Sequence, residues 1–213
     1  MPVFRTGKGN APTWCELENF EFIVLKPGEM RSLPRSGEKE EEIIVCSGQV
    51  HAVSGEQEAQ LATGEKMDLT SSAEPGFVLT ANTERSLVLR LLGHWQSVTS
   101  SGVFTTQNGE PPTGDTPYAY KKLATFDNHY HDCDEYWIFF SGHCRVASEG
   151  KIYEVDPGDC LVTGRGWHHD ILSVMGETPA RAVWFEGTLE GQQRTGHLWE
   201  PRDGKAMPCA ERV

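Results

Sequence analysis

Two histidines separated by one residue, His129 and His131, most constrain what this chain can form. Side chains alternate between the two faces of a β-strand, so residues at positions i and i+2 project from the same face. Glu135 lies four residues after His131, and His169 follows a glycine-rich segment at 158–166. Three neutral imidazoles and one carboxylate form a ligand set that suits a divalent first-row metal. The pattern therefore predicts a metal site built on β-strands.

Short segments rich in β-branched and aromatic residues, bounded by glycine and proline, dominate the chain. A length of 213 residues fits one large all-β domain or two small ones. With 22 glycines and 12 prolines, long helices are not expected. The predicted fold class is all-β, with strands at, for example, 20–25, 42–46, 77–80, 86–92, 136–140, 151–155, 160–163 and 180–185.

The sequence also repeats itself. A glutamate followed seven residues later by a glycine occurs as Glu41 and Gly48, and again 94 residues further on as Glu135 and Gly142. A constant offset over a long span favours an internal duplication. Coincidence among the glycine-rich turns that punctuate any β protein is the alternative.

A change of composition separates the two halves. Residues 97–116 are rich in Ser, Thr, Gly and Pro, which is typical of a linker. We therefore expect an N-terminal domain at 1–96, a linker at 97–116, a C-terminal domain at 117–190 and a polar tail at 191–213.

The histidine-rich half resembles the cupin superfamily. The first cupin motif has the form Gly-x5-His-x-His-x3,4-Glu-x6-Gly. His129, His131, Glu135 and Gly142 match it, and Leu123 stands in place of its leading glycine.

The second cupin motif, Gly-x5-Pro-x-Gly-x2-His-x3-Asn, is matched in its spacing by Gly158, Gly166 and His169. Gly164 takes the place of the proline and Ser173 that of the asparagine. These departures concern turn and barrel positions and leave the ligand-type residues in place.

The resemblance implies an all-β chain of two tandem cupin jelly-roll barrels, with one metal ion in the C-terminal barrel. The implied ligands are His129, His131, Glu135 and His169, although Glu135 could instead hold its neighbours by hydrogen bonds. The positions 94 residues earlier hold only one ligand-type residue, so the N-terminal barrel is expected to be a degenerate, metal-free partner. Those positions are Arg35, Gly37, Glu41 and Pro75.

Residues that lie an even number of positions from a ligand on the same strand share its face of the sheet and are predicted to border the metal. They would give an apolar pocket with a few polar groups, the usual character of a small-molecule site, or else form ordinary barrel core. These candidates are Trp137, Phe139, Trp167 and Ile171. By strand parity His168 points away from His169, and a one-residue slip of register would exchange the two.

The net charge and the cysteine content limit the expected partners and the expected cellular location. The chain has 31 acidic and 19 basic residues, a formal net charge of -12, which argues against nucleic acid and anionic membranes. No apolar run approaches the ~20 residues of a membrane span, and the first residues lack the apolar run of a secretory signal. The six cysteines form no Cys-x-x-Cys pair. We therefore expect reduced thiols and a cytoplasmic location.

The expected function is that of a metal-dependent cupin enzyme acting on a small polar organic molecule. The metal would be Fe, Mn, Zn or Ni, and the reaction a sugar-type isomerisation or epimerisation, a dioxygenation or a lyase reaction. A non-catalytic cupin that binds or senses a metal or small ligand is the alternative. Exposed edge strands favour a homodimer. The spacing assigns no catalytic acid or base.

Overall fold

The computed structural model describes residues 3–5, 11–37, 39–69, 75–95, 100–112, 119–188 and 196–213. The regular structure within these ranges consists of β-strands, which confirms the all-β prediction. The chain divides into two compact units. The N-terminal unit is Cys15–Trp95, and the C-terminal unit combines Met1–Trp14 with Gln96–Val213. No helix among the described residues has the length and apolar character needed to cross a membrane.

The strands are numbered in chain order. They are β1 (Val3–Arg5), β2 (Leu17–Leu25), β3 (Met30–Pro34), β4 (Glu40–Ser47), β5 (Gln49–Ser54), β6 (Gln57–Ala62), β7 (Lys66–Asp68), β8 (Gly76–Ala81), β9 (Ser86–Gly93), β10 (Ser100–Thr106), β11 (Glu135–Ser141), β12 (His143–Ser148), β13 (Lys151–Val155), β14 (Asp159–Thr163), β15 (His169–Met175) and β16 (Ala180–Glu186). Each strand segment named from the sequence lies within one of them, because these segments combine β-branched or aromatic residues with flanking turn residues.

Two four-stranded antiparallel sheets build the N-terminal unit, in the orders β2-β9-β4-β7 and β3-β8-β5-β6. In the sheet β3-β8-β5-β6, strands β5 and β8 alternate between buried and more exposed side chains, and this period of two directs one face of the sheet inward. In the other sheet, the central strands β4 and β9 are buried along most of their length. Apolar side chains from both sheets share one core, among them Ile43, Val45, Val50, Phe77 and Leu79.

The C-terminal unit contains a five-stranded sheet, β1-β14-β11-β16-β10, and a three-stranded sheet, β13-β12-β15. Its core again draws on both sheets, with Trp137 and Phe139 of β11 in the same cluster as Val146 of β12 and Ile171 of β15. Trp137 is one of the largest fully buried side chains of the molecule. The inner face of β11 therefore carries both core residues and, at its first residue, Glu135.

Strand pairing repeats at the 94-residue offset that the sequence displays. The central pair β4–β9 has a register shift between Val45 and Ser47, and the pair β11–β16 has one between Phe139 and Ser141. A bulge is a specific local feature that tends to be retained among related structures. Its recurrence at the same offset supports an internal duplication, and the count of two complete cupin barrels remains our interpretation.

The glycine that closes the Glu-x6-Gly pattern has a structural reason in both units. Gly48 and Gly142 adopt positive φ angles of 85° and 75°. A Cβ atom at Gly48 would lie 2.9 Å from the carbonyl oxygen of Arg85, and one at Gly142 would lie 2.6 Å from that of Pro179. Only glycine combines this backbone conformation with so close an approach of the chain.

Two predicted boundaries need correction. Ser100–Thr106, assigned to the linker for its Ser, Thr and Gly content, is the edge strand β10 and pairs with β16 over seven positions. Its Val103-Phe104-Thr105-Thr106 stretch has strand propensity, which the linker composition obscured. Val3–Arg5, assigned to the N-terminal domain, pairs with β14 of the C-terminal unit. Linker residues 97–99 and 113–116, and tail residues 191–195, lie outside the described part of the chain.

Candidate metal centre

Backbone pairing brings His129 next to His169. The two residues form an isolated antiparallel bridge, in which the His129 N–H donates to the His169 carbonyl at 3.3 Å and the reverse bond is 2.9 Å long. Their ring centroids lie 4.3 Å apart. Because paired residues of an antiparallel bridge present their side chains on the same face, this pairing joins the two sequence motifs.

The structure brings all four ligand-type residues together. One ligand atom from each of His129, His131, Glu135 and His169 lies within 4.8 Å of the others, and all four residues are buried. Glu135 Oε2 is 2.6 Å from His169 Nε2 and 3.4 Å from His131 Nε2. Glu135 begins β11 and His169 begins β15, so two ordered strands fix two of the ligands.

These ligand atoms lack hydrogen bonds. Among the described residues, Nε2 of each of the three histidines and Oε2 of Glu135 have no hydrogen-bond partner of acceptable geometry, despite their burial. A buried polar atom left unsatisfied costs roughly 1–3 kcal/mol. One cation at their common point would satisfy all four, so the residues present fit a bound metal ion.

The opposite ring nitrogens orient two of the imidazoles. His129 Nδ1 lies 3.1 Å from the carbonyl oxygen of Asp127, and His169 Nδ1 lies 3.3 Å from that of Trp167. A carbonyl oxygen can only accept, so each Nδ1 must carry the proton and donate it. Each Nε2 is then left unprotonated and directed into the group, as metal-ligating histidines require.

The electrostatics of the site favour the ligand form of these side chains. Burial and the neighbouring imidazoles hold the pKa of His129 well below its usual value. Burial lowers the pKa of His131 to about 4, against the opposing pull of Glu135. Burial alone would raise the pKa of Glu135, but His131 and His169 lower it to about 2. Neutral imidazoles and an ionised carboxylate are the states that bind a metal.

Sequence reasoning missed Glu186, the last residue of β16. Glu186 pairs directly with Glu135 across the β11–β16 ladder, and its Oε1 lies 3.5 Å from His131 Nδ1. With His131 and Cys133 it forms a second buried group of ligand-type atoms within 4.8 Å. Only the strand register, which the sequence alone does not give, reveals this neighbour.

The C-terminal tail contributes His197, which sequence reasoning also missed. The His197 ring stacks on His129 with centroids 3.7 Å apart and planes within 6°. Its Nδ1 lies 3.0 Å from Asp127 Oδ2, which also accepts a 2.8 Å hydrogen bond from the Trp199 indole. Burial alone would lower the pKa of His197, but Asp127 raises it overall. Asp127, His129 and His197 form a third group of ligand-type atoms.

A cavity of about 440 Å³ opens onto this group. Its lining includes Ser100, Phe104, Phe126, Glu135, Trp137, Trp184, Glu186, Gly196 and His197. Of the predicted pocket residues, Trp137 lines the cavity. Phe139 and Ile171 lie instead in the core between the two sheets. Trp167 turns towards the C-terminal tail, where its indole N–H donates to the Cys209 carbonyl at 3.1 Å.

His168 lies outside the ligand group. Its Nε2 is 3.7 Å from Glu200 Oε1, and its ring packs at 5.2 Å against Tyr130. His169, and not His168, therefore belongs to the converging group of ligand-type residues, as strand parity predicts.

The corresponding place in the N-terminal unit is built differently. Glu41 lies 94 residues before Glu135 and is equally buried, but its Oε2 receives two hydrogen bonds from Arg90, at 2.6 and 3.0 Å. Arg35, at the place of His129, approaches the other carboxylate oxygen to 3.8 Å. An arginine pair thus surrounds the one retained carboxylate, while Gly37 and Pro75 offer no ligand atom at the other two places.

Comparison with solved structures supports the fold assignment. AerE from Microcystis aeruginosa is 12% identical, covers 80% of this chain and 87% of its own, and has a TM-score of 0.53. An oxalate decarboxylase from Lactobacillus farciminis is 11% identical over 88% of this chain and 86% of its own, with a TM-score of 0.54. The protein Ylba from E. coli is 10% identical over 90% and 92% of the two chains, with a TM-score of 0.54. No family model matches the sequence.

The chain has the cupin jelly-roll fold of these solved structures, and its C-terminal unit contains a buried group of three histidines and one glutamate whose ligand-type atoms converge. It belongs to the same family as the uncharacterised protein y4oW of Sinorhizobium fredii, to which it is 37% identical over 215 residues, covering 100% of this chain and 97% of that protein.

Proposed function

We propose that this protein is a metal-dependent cupin enzyme that acts on a small organic molecule. The observation that carries the proposal is the convergence of four buried ligand atoms without hydrogen bonds at the edge of a cavity of about 440 Å³. Cavities of roughly 300–1,000 Å³ are typical of small-molecule sites. A metal centre next to such a cavity favours chemistry on a bound molecule over a purely structural ion.

The donor set supports a first-row divalent ion, and Fe, Mn, Zn and Ni are the candidates. When bound, such an ion supplies Lewis-acid polarisation of a substrate oxygen, or redox chemistry if it is Fe or Mn. His129 and His169 would hold it through Nε2, each fixed by a carbonyl oxygen on the other side of the ring. Glu135 would provide the anionic ligand.

Two further polar residues support an enzyme over a binding module. Glu186 and His197 reach the same cavity, although four ligands are present without them. Both are placed where they could orient a molecule against the metal site. Asp127 fixes the His197 ring, which restricts its rotation and reduces the entropy lost when a substrate binds.

The reaction is proposed to be an isomerisation or epimerisation, a dioxygenation or a lyase reaction. The solved structures that resemble this chain include oxalate decarboxylases, and at such low identity they inform the fold and not the substrate.

The test combines metal analysis with turnover assays. Purified protein should contain close to one transition-metal ion per chain by plasma mass spectrometry, and it should convert substrates of these classes in assays run with and without dioxygen. Oxygen uptake that depends on substrate would select the dioxygenase. A tightly bound metal without any conversion would favour the non-catalytic binding or sensing cupin instead.

We further propose a homodimer in the cytoplasm. β10 lies at the edge of the five-stranded sheet, and exposed edges are commonly covered by another chain. None of the six cysteines takes part in a disulfide bond, which is compatible with a reducing compartment.

A further inference from the structure

The cavity beside the metal centre has an aromatic wall. Phe104, Phe126 and Trp137 pack against one another with ring centroids between 5.2 and 5.6 Å apart. Trp184 adds a further ring to the lining. Tilted and edge-to-face contacts of this kind hold the rings in fixed positions. The wall therefore presents a preformed apolar surface that suits a flat apolar body.

The cavity also has a polar part, which contains two carboxylates and is called its floor below. The carboxylates of Glu135 and Glu186 both line it, and the two residues are directly paired across neighbouring strands. His197 is the cationic candidate in the lining, and Asp127 balances its charge at 3.0 Å. The described lining residues include neither lysine nor arginine.

This charge arrangement leaves no surplus positive charge for an anion. Without a metal the floor carries two carboxylates, and a single divalent ion neutralises them without exceeding them. An anionic ligand would then add a net negative charge beside two carboxylates in a partly desolvated cavity, which costs affinity. A carboxylate floor instead accepts hydrogen bonds from hydroxyl or ammonium groups.

We propose that the substrate class is a small molecule with a flat apolar body and an uncharged or cationic head that donates hydrogen bonds. The inference rests on the proposed function for its metal centre and adds the chemistry of the ligand. It separates this protein from an enzyme for a small dicarboxylate, because an oxalate-like dianion would meet Glu186 and neither lysine nor arginine in the described lining, where Asp127 already balances the charge of His197.

Three matched probes test the charge preference. Benzyl alcohol, benzylamine and benzoate share a ring and a one-carbon arm, and at pH 7 they are neutral, cationic and anionic. Ligand-detected NMR titrations of the full chain, with its metal content measured on the same sample, give the three dissociation constants. We expect benzoate to bind at least about tenfold more weakly than the other two.

Three variants show which residues cause the charge preference. Glu186→Gln should reduce the discrimination against benzoate by about tenfold, because it removes a negative charge and keeps the shape. Glu154→Gln, on the exposed part of β13, is the matched control and should leave the discrimination unchanged. Phe126→Ala should weaken all three probes together.

The outcomes separate the two proposals. Benzoate binding as tightly as benzyl alcohol in metal-containing protein would overturn the substrate class and leave the metal-dependent function standing. Failure of all three probes to bind at millimolar concentration would also overturn the substrate class. A protein that binds no transition metal would overturn the proposed function, and the same titrations would still decide the charge preference, which should then be larger.

Discussion

Glu135 and Glu186 face each other as a directly opposed pair on β11 and β16, and both line the cavity. Like charges at such positions destabilise a sheet. The equivalent pair in the N-terminal unit is Glu41 and Leu92, where only one residue is charged. The second carboxylate is therefore a property of the unit with the candidate metal centre, where a cation would balance it.

Chelation should expose this repulsion. A metal present at about 100 times its dissociation constant stabilises the folded state by about 2.7 kcal/mol, so removal of the metal should lower the unfolding midpoint. In metal-free protein, Glu186→Gln should be more stable than the wild type, because the opposed charges are gone. Calorimetry of both proteins with and without chelator checks this. Equal midpoints for the two metal-free proteins would contradict it.

The ligand assignment makes a prediction about single histidines. His131→Ala and His169→Ala should each reduce the metal content from about one ion per chain to near zero, since each removes a ligand from a four-ligand site. Both should retain the β-sheet circular dichroism of the wild type. His168→Ala is the adjacent control and should keep its metal. Full metal content in either ligand variant would refute the assignment.

The pair of Glu41 and Arg90 should make stability depend on pH. Burial alone would raise the pKa of Glu41, but hydrogen bonds from Ser36 and the ion pair with Arg90 lower it below the usual 4.5. A lowered pKa contributes stability above about pH 4.5, and this contribution is lost as the pH falls through the folded-state pKa. Glu41→Gln should cost about 3 kcal/mol at pH 7.

Urea unfolding at pH 7 and at pH 3.5 measures that difference. The gap between Glu41→Gln and the wild type should shrink at the lower pH. Glu21→Gln removes the more exposed carboxylate that contacts Arg90 and should have little effect at either pH. A gap that is constant with pH would show that the charge of Glu41 is not what stabilises the unit.

Two glycines with similar backbone conformations allow the cost of backbone strain to be measured separately from the cost of steric crowding. Gly142 and Gly150 have φ angles of 75° and 71°. A Cβ would meet Pro179 and Ala180 at Gly142, whereas nothing lies within 4 Å at Gly150. Gly150→Ala should cost about 1 kcal/mol from backbone strain alone, and Gly142→Ala about 3 kcal/mol. Chemical denaturation measures both, and equal losses would contradict the crowding.

The homodimer is tested by mass. Sedimentation equilibrium at micromolar concentration should give twice the 23.7 kDa of one chain. A mass of one chain over the whole concentration range would exclude the dimer.

Local spacing was sufficient to predict which residues converge in the candidate metal centre. The His-x-His spacing places two imidazoles on one face, and the two motifs together pointed to Glu135 and His169, which the structure brings into the same group. The glycine of the Glu-x6-Gly pattern could also be predicted, because Gly142 needs a positive φ angle and a close approach of the backbone. Such requirements act over a few residues and leave a visible pattern in the sequence.

The other residues of the site could not be predicted, because their positions depend on contacts between segments that are distant in the sequence. Glu186 is a neighbour of Glu135 only through strand register, and His197 reaches His129 across 68 residues of sequence. Phe139 and Ile171 have the correct strand phase for the pocket but lie further along their strands, in the core. The alternation of side chains along a strand tells which face of the sheet a residue lies on. It does not tell how far along the strand, and therefore how far from the metal centre, that residue lies.

Arg90 gives the N-terminal unit an internal, covalently attached counterion. Glu41 is neutralised by the chain itself, at any supply of metal in the surroundings. Histidines introduced at positions 35, 37 and 75 would therefore not be enough to create a metal centre there, because the guanidinium group of Arg90 already occupies one oxygen of the carboxylate. An engineer who wants a second metal site in the N-terminal unit would have to begin by replacing Arg90.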